Sequence, residues 1–194
     1  MKVFFTGSPR SLELYKKEHI AIYSAIEESG FKNMSDLVIK ADPKTFYDRS
    51  HAEVVEHYKN TVENLKHADV VVVEASLHSM SMGYLVEKAL GMGKPVVVFH
   101  LDGLTPFFFS GINDEKLQVI SYNYSTIKQV VTDSLEFATT IQDVRFNFFI
   151  PPEISNYLDI VSKVKKIPRS VYIRSLIQED MATEEMKKLV SQNS

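Results

Sequence analysis

Residues 69–87 read DVVVVEASLHSMSMGYLVE. Glu74 closes an apolar run, and Ser79, Ser81 and Gly83 follow just before a helical pattern begins. A glutamate at a strand end can meet a ribose hydroxyl or act as a general base. Serine hydroxyls and free amides at a helix start can hold an anion, although Ser81 serves equally well as a plain N-cap. TGSPR (6–10) makes a second loop of the same kind. There Gly7 permits close backbone approach, the Ser8 hydroxyl can meet a phosphate, and Arg10 adds a fixed cation. The same residues also read as an ordinary helix entry, with Ser8 as N-cap and Pro9 at N1. His51 and His57, six apart, lack metal-ligand spacing, and His78 either pairs with Glu74 or is simply exposed.

Both loops lie where an α/β protein would place them. KVFFT (2–6), DLVIK (36–40), DVVVVE (69–74), PVVVF (95–99) and KLQVIS (116–121) read as strands. Helical patterns separate them, over about 12–29, 52–67 and 82–92, and a last one follows near 125–138. Near-continuous apolar strands suit a parallel sheet buried on both faces. The expected fold is therefore a doubly wound α/β domain with five strands over residues 1–140, whose ligands sit at the carboxyl ends of the strands.

After residue 140 the pattern changes. VRFNFFIP (144–151) alternates like a strand, and two helical segments follow, about 152–166 and 169–190. Residues 141–194 hold eight Lys/Arg against seven Asp/Glu, so they carry +1 and the first 140 carry −4 of the net −3. A strand and two helices cannot bury a core alone and must dock or dimerise.

Composition narrows the chemistry. The 194 residues include no cysteine, which removes disulfides, thiolate nucleophiles and Cys-based zinc sites. A net charge of −3 gives no global pull toward nucleic acid or anionic membrane. No signal-peptide pattern and no run of about 20 apolar residues is present, so a soluble, cytoplasmic protein is expected. No cofactor motif is visible, and none is expected.

FFTGSPR, ADVVVVEAS, S-x-S-x-G-Y and KPVVVF, in this order over residues 1–122, resemble the nucleoside 2-deoxyribosyltransferase superfamily. Its deoxynucleoside 5′-monophosphate N-hydrolases look most similar. The resemblance implies a flavodoxin-like fold that binds a nucleoside or nucleotide. Gly7, Ser8, Arg10, Ser79, Ser81 and Gly83 then match ligand-binding positions, and Glu74 matches the acid at the end of the central strand. In active members the third motif reads G-Y-E, and its glutamate attacks or stabilises the anomeric carbon. Here Leu85 follows Gly83-Tyr84, Glu87 lies about 200° around the helix from the site, and a second family acid falls on Thr61.

Residues 144–180 resemble the ribbon-helix-helix family of DNA-binding dimers: an alternating strand, a proline, a helix bearing Ile154, Leu158 and Val161, then Arg169-Ser170 opening a helix with Ile173, Leu176 and Ile177. The resemblance implies a homodimer or higher homo-oligomer with Phe146, Phe148 and Ile150 in its core. Arg145, Asn147 and Phe149 would face the DNA groove, and Arg169 and Ser170 would clamp a phosphate. Phe149 departs from the polar reader usual there, and dimerisation without DNA remains an open alternative. Together the two regions suggest a nucleotide-binding protein that has lost its nucleophile and acts as a dimeric sensor or DNA-binding regulator. The alternative is an active N-glycosidase or deoxyribosyltransferase using Glu74.

Overall fold

The structure, a computed structural model, describes residues 1–140, 148–184 and 186–188. These fall into two compact units, one up to Thr140 and one from Phe148 onward.

In the first unit β1 (Lys2–Gly7), β2 (Lys32–Asn33), β3 (Val70–Glu74), β4 (Val96–Leu101) and β5 (Leu117–Tyr122) form one parallel sheet. The order β2-β1-β3-β4-β5 is the flavodoxin-like doubly wound order, with its switch point between β1 and β3. Val70–Val73 and Val96–Val98 are wholly buried because both sheet faces are covered. On one face Val70, Val72, Val97 and Phe99 meet Ile22 and Ile26 of α2 (Lys16–Glu28) and Val131 and Leu135 of α7 (Ile127–Thr140). On the other, Val71, Val73, Val96 and Val98 meet Leu65 of α4 (His51–His67) and Leu85, Val86 and Ala89 of α5 (Met80–Gly91). The two-residue alternation of each strand thus feeds two separate cores.

The sequence expectation and the structure differ at three places in this unit. DLVIK is not a strand: Leu37–Lys40 is the short helix α3, and the second strand is only Lys32–Asn33. A short apolar run has no period that separates helix from strand. An edge strand also needs no apolar run, and here polar Asn33 ties its side chain to Glu27 and to the Tyr23 carbonyl. The expected single helix over 12–29 is two, α1 (Pro9–Leu14) and α2, broken at Tyr15. The short helix α6 (Phe107–Ser110) lies between β4 and β5, where no helix is expected.

The second unit holds α8 (Pro152–Lys165) and α9 (Arg169–Met181). Among the described residues there, Leu158 and Tyr172 are buried, while Ile154, Ile160, Val164, Leu176 and Ile177 remain exposed. Residues 144–147 of the expected ribbon strand, with Arg145, Phe146 and Asn147, lie outside the described residues, and 148–151 adopt no regular structure.

Candidate ligand site at the carboxyl edge of the sheet

Glu74 ends β3 in register with Gly7 at the end of β1, on either side of the switch point. Its side chain is 0% exposed. Ser11 on α1 donates to Oε2 at 2.6 Å. The Ser76 amide donates to Oε1 at 3.1 Å, joined by the Ser76 hydroxyl and by the Tyr122 hydroxyl at 3.2 Å. The Ser76 hydroxyl also accepts from the Leu101 amide at 2.8 Å, which commits its own proton to Glu74. Every one of these partners is a donor, as a buried carboxylate needs.

His19 closes the remaining side. Its Nδ1 donates to the Tyr15 carbonyl at 2.8 Å, because a carbonyl can only accept. That leaves Nε2 facing Glu74 Oε2 at 3.5 Å with no hydrogen-bond partner. The break at Tyr15 supplies the carbonyl that orients this ring. Gly7 supplies the space: a Cβ there would stand 2.4 Å from Nε2. The close approach that Gly7 permits is thus to His19. Burial, with Glu74 beside it, pushes the Tyr122 phenol far above the ordinary tyrosine range. This knot of Ser11, His19, Ser76 and Tyr122 escapes the sequence reading because its members come from three separated stretches, near residues 11–19, 74–76 and 122. Nothing in their local pattern links them.

The rest of the first loop behaves as a helix entry. Ser8 is buried, and its hydroxyl caps α1 by accepting from the Ser11 amide at 3.1 Å, with Pro9 at N1. Arg10 is exposed, and its guanidinium lies 5.6 Å from the centre of the Tyr47 ring. Arg49 stacks similarly on Phe46, 4.0 Å from its centre, and His57 meets Phe46 edge-on at 5.4 Å. Burial first, and Arg49 second, pull the His57 imidazole below its ordinary value.

The second loop opens onto a cavity of about 590 Å³, a volume in the range of small-molecule sites. Ser79 and Gly83 line it, with His78, Met80 and Tyr84 from the same stretch and Phe107 and Phe108 from α6. Phe107 and Phe108 are 80% and 91% exposed, a free aromatic surface beside a helix start. Ser79 occupies the N-cap position of α5 without a side-chain cap bond, and Ser81 is exposed on the first turn. Leu85 is 7% exposed and packs in the core between the sheet and α5, whereas Glu87 points to solvent. PFFF (106–109) is the signal available in the sequence for the aromatic wall, since three adjacent phenylalanines cannot all face one core.

In the helical unit Phe149 is fully exposed. Arg169 pairs with Asp159, tying the start of α9 to α8, and Ser170 is exposed beside it. Tyr157 and Tyr172 bring their hydroxyls to 3.1 Å. Among the described residues, no helix is long and apolar enough to cross a membrane, and no group of three His, Asp or Glu side chains could hold a metal ion.

No family model matches the chain. It is 28% identical over 133 residues to a protein of Methanosarcina mazei named "Putative 2′-deoxynucleoside 5′-phosphate N-hydrolase 1", covering 68% of this chain and 81% of that one. A solved CMP N-glycosidase from Clostridium botulinum aligns with 71% of this chain and 98% of its own, at 16% identity and a TM-score of 0.49. The resemblance of residues 1–122 to the nucleoside 2-deoxyribosyltransferase-like superfamily is thus matched by a sequence similarity to this N-hydrolase.

Proposed function

We propose that this protein binds a nucleoside or nucleotide at the carboxyl edge of its sheet and leaves the glycosidic bond intact. The observation that carries this reading is the state of the two acid positions. Leu85 stands where the resemblance places the attacking glutamate, and it is packed in the core. Glu74 is sealed from solvent with both oxygens engaged. Cleaving an N-glycosidic bond builds positive charge on the sugar, and without a facing carboxylate that charge goes unstabilised. Binding needs no such group: the cavity offers aromatic faces for a base and the start of α5 for polar atoms.

On this reading the helical unit reports occupancy as a dimeric sensor or DNA-binding regulator. Its support is the apolar surface of α8 and α9, which a second copy of the unit would cover. Arg145, Asn147 and Phe149 would then face the DNA, with Arg169 and Ser170 at a phosphate. Salt-sensitive DNA binding that weakens on Arg145→Ala is the expected result, and equal binding by the variant would remove this role.

The second reading is an N-glycosidase using Glu74, favoured by the name of the Methanosarcina relative. One chromatographic experiment separates the two. Concentrated protein is incubated for a day with a panel of nucleosides and 2′-deoxynucleoside 5′-monophosphates, beside a Glu74→Gln control checked for folding by its melting curve. No free base is expected above the control. Steady release of base that the control abolishes would make the protein an enzyme.

A further inference from the structure

Tyr84 lines the cavity from the first turns of α5. Its hydroxyl lies 2.9 Å from that of Tyr58 on α4, across tilted rings. One turn further along α5, the Lys88 ammonium stands 5.5 Å from the centre of the Tyr84 ring. Only one hydrogen can lie between two hydroxyl oxygens at that distance, so one phenol donates and the other keeps its O–H for another partner. The cation beside Tyr84 favours placing the accepting, more negative oxygen on Tyr84. Tyr58 therefore donates, and the Tyr84 O–H is left to point elsewhere. Of the residues lining the cavity, Met80, Phe107 and Phe108 offer it no acceptor, and neither His78 nor Ser79 bonds to it.

We propose that Tyr84 is a ligand-contacting residue of this cavity, donating its O–H to an acceptor atom on the base or sugar, and that Tyr58 is the positioning residue that aims it. This assignment rests on the reading of the cavity as a nucleoside or nucleotide site. It explains why two exposed tyrosines on different helices are paired at a cavity mouth: a bond between surface phenols stabilises little by itself, but it fixes the direction of one hydroxyl before the ligand arrives.

The bond gives the arrangement a readout. The hydrogen bond from Tyr58, with Lys88 beside it, holds the Tyr84 phenol below the ordinary tyrosine value, and the same bond holds Tyr58 above it. The titratable and charged groups around Tyr84 are Tyr58 from α4, Lys88 on its own helix and His78 in the preceding loop. A ligand that needs the Tyr84 proton is lost as pH rises through that lowered value.

The test is the affinity of native protein, Tyr84→Phe and Tyr58→Phe for 2′-deoxyadenosine and its 5′-monophosphate, by calorimetry from pH 7 to 10, with melting curves at each pH. The expected results are a fivefold or larger loss in Tyr84→Phe at pH 7.5 and an alkaline loss in native protein that Tyr84→Phe lacks. In Tyr58→Phe the midpoint of that loss should move to higher pH. If native protein binds either probe and Tyr84→Phe binds it within twofold, or keeps the alkaline loss, the assignment of Tyr84 is overturned while the nucleotide reading stands. If native protein binds neither probe, both are overturned.

Discussion

The stretch from Glu74 to Tyr84 serves two regions of opposite character. At its start a carboxylate is sealed among Ser11, His19, Ser76 and Tyr122. Ten residues later the same loop borders an open, largely apolar cavity walled by Phe107 and Phe108. A carboxylate at a strand end suggests chemistry, and adjacent phenylalanines suggest core, yet solvent exposure reverses both. The difference shows that residue type proposes a site, while accessibility decides which groups can reach a ligand. In the knot, polar groups serve the fold, because each buried charge must have partners. At the cavity, apolar groups stay exposed, at a cost that a stacking ligand would offset.

This contrast can be broken from either side. The largest effect should come from Leu85→Glu, which introduces the glutamate of the G-Y-E motif that the sequence resembles. The position belongs to the core, so an uncompensated charge there should cost about 3–5 kcal/mol, seen as a large loss of stability to urea at pH 7.5. A variant that stayed stable and cleaved nucleotides would instead place residue 85 in the site. Gly7→Ala should cost about 1–3 kcal/mol by driving a methyl into the His19 ring. His19→Ala in the same chain should recover part of that loss, and its failure to do so would mean that Gly7 serves a ligand.

Tyr122→Phe should cost about 0.5–1.5 kcal/mol at neutral pH through the lost bond to Glu74. The sign of its pH dependence follows from its raised folded-state value. Above roughly pH 10 the unfolded tyrosine ionises while the buried one does not. The unfolded state then binds fewer protons, and stability falls as pH rises further. The variant should lose that part of the alkaline decline, measurable by denaturant titrations between pH 9 and 11. The smallest stability change belongs to Phe108→Ser, within about 0.5 kcal/mol for so exposed a side chain. It should still weaken binding of a nucleoside by about 0.5–1.5 kcal/mol if the ring stacks on the base.

Much of the fold is legible in the residues. The runs at β1, β3 and β4 are near-continuously apolar, the pattern of strands covered on both faces. Ser50, with Glu53 three residues on, marks the start of α4, where both halves of a capping box form. DLVIK fails because three adjacent apolar residues fit one turn of helix as well as a strand. Of the ligand-site residues named from the motifs, Ser79 and Gly83 border the cavity. Ser8 is absorbed in capping α1, and Gly7 in making room for His19. Arg145 and Asn147 lie outside the described residues.

The sequence by itself determined a parallel α/β sheet, two loops at its carboxyl edge, the absence of thiol chemistry and a leucine at residue 85, where the resemblance expects a glutamate. These are local properties, carried by runs of hydrophobicity and by single residue types that short-range sterics and solvation read directly. Only the tertiary structure decided that Glu74 is a buried acceptor for Ser11, Ser76 and Tyr122, that Phe107 and Phe108 wall a cavity, and that Tyr58 meets Tyr84. Each of those depends on which distant residues share a surface and which keep contact with water, and no window of sequence contains that information.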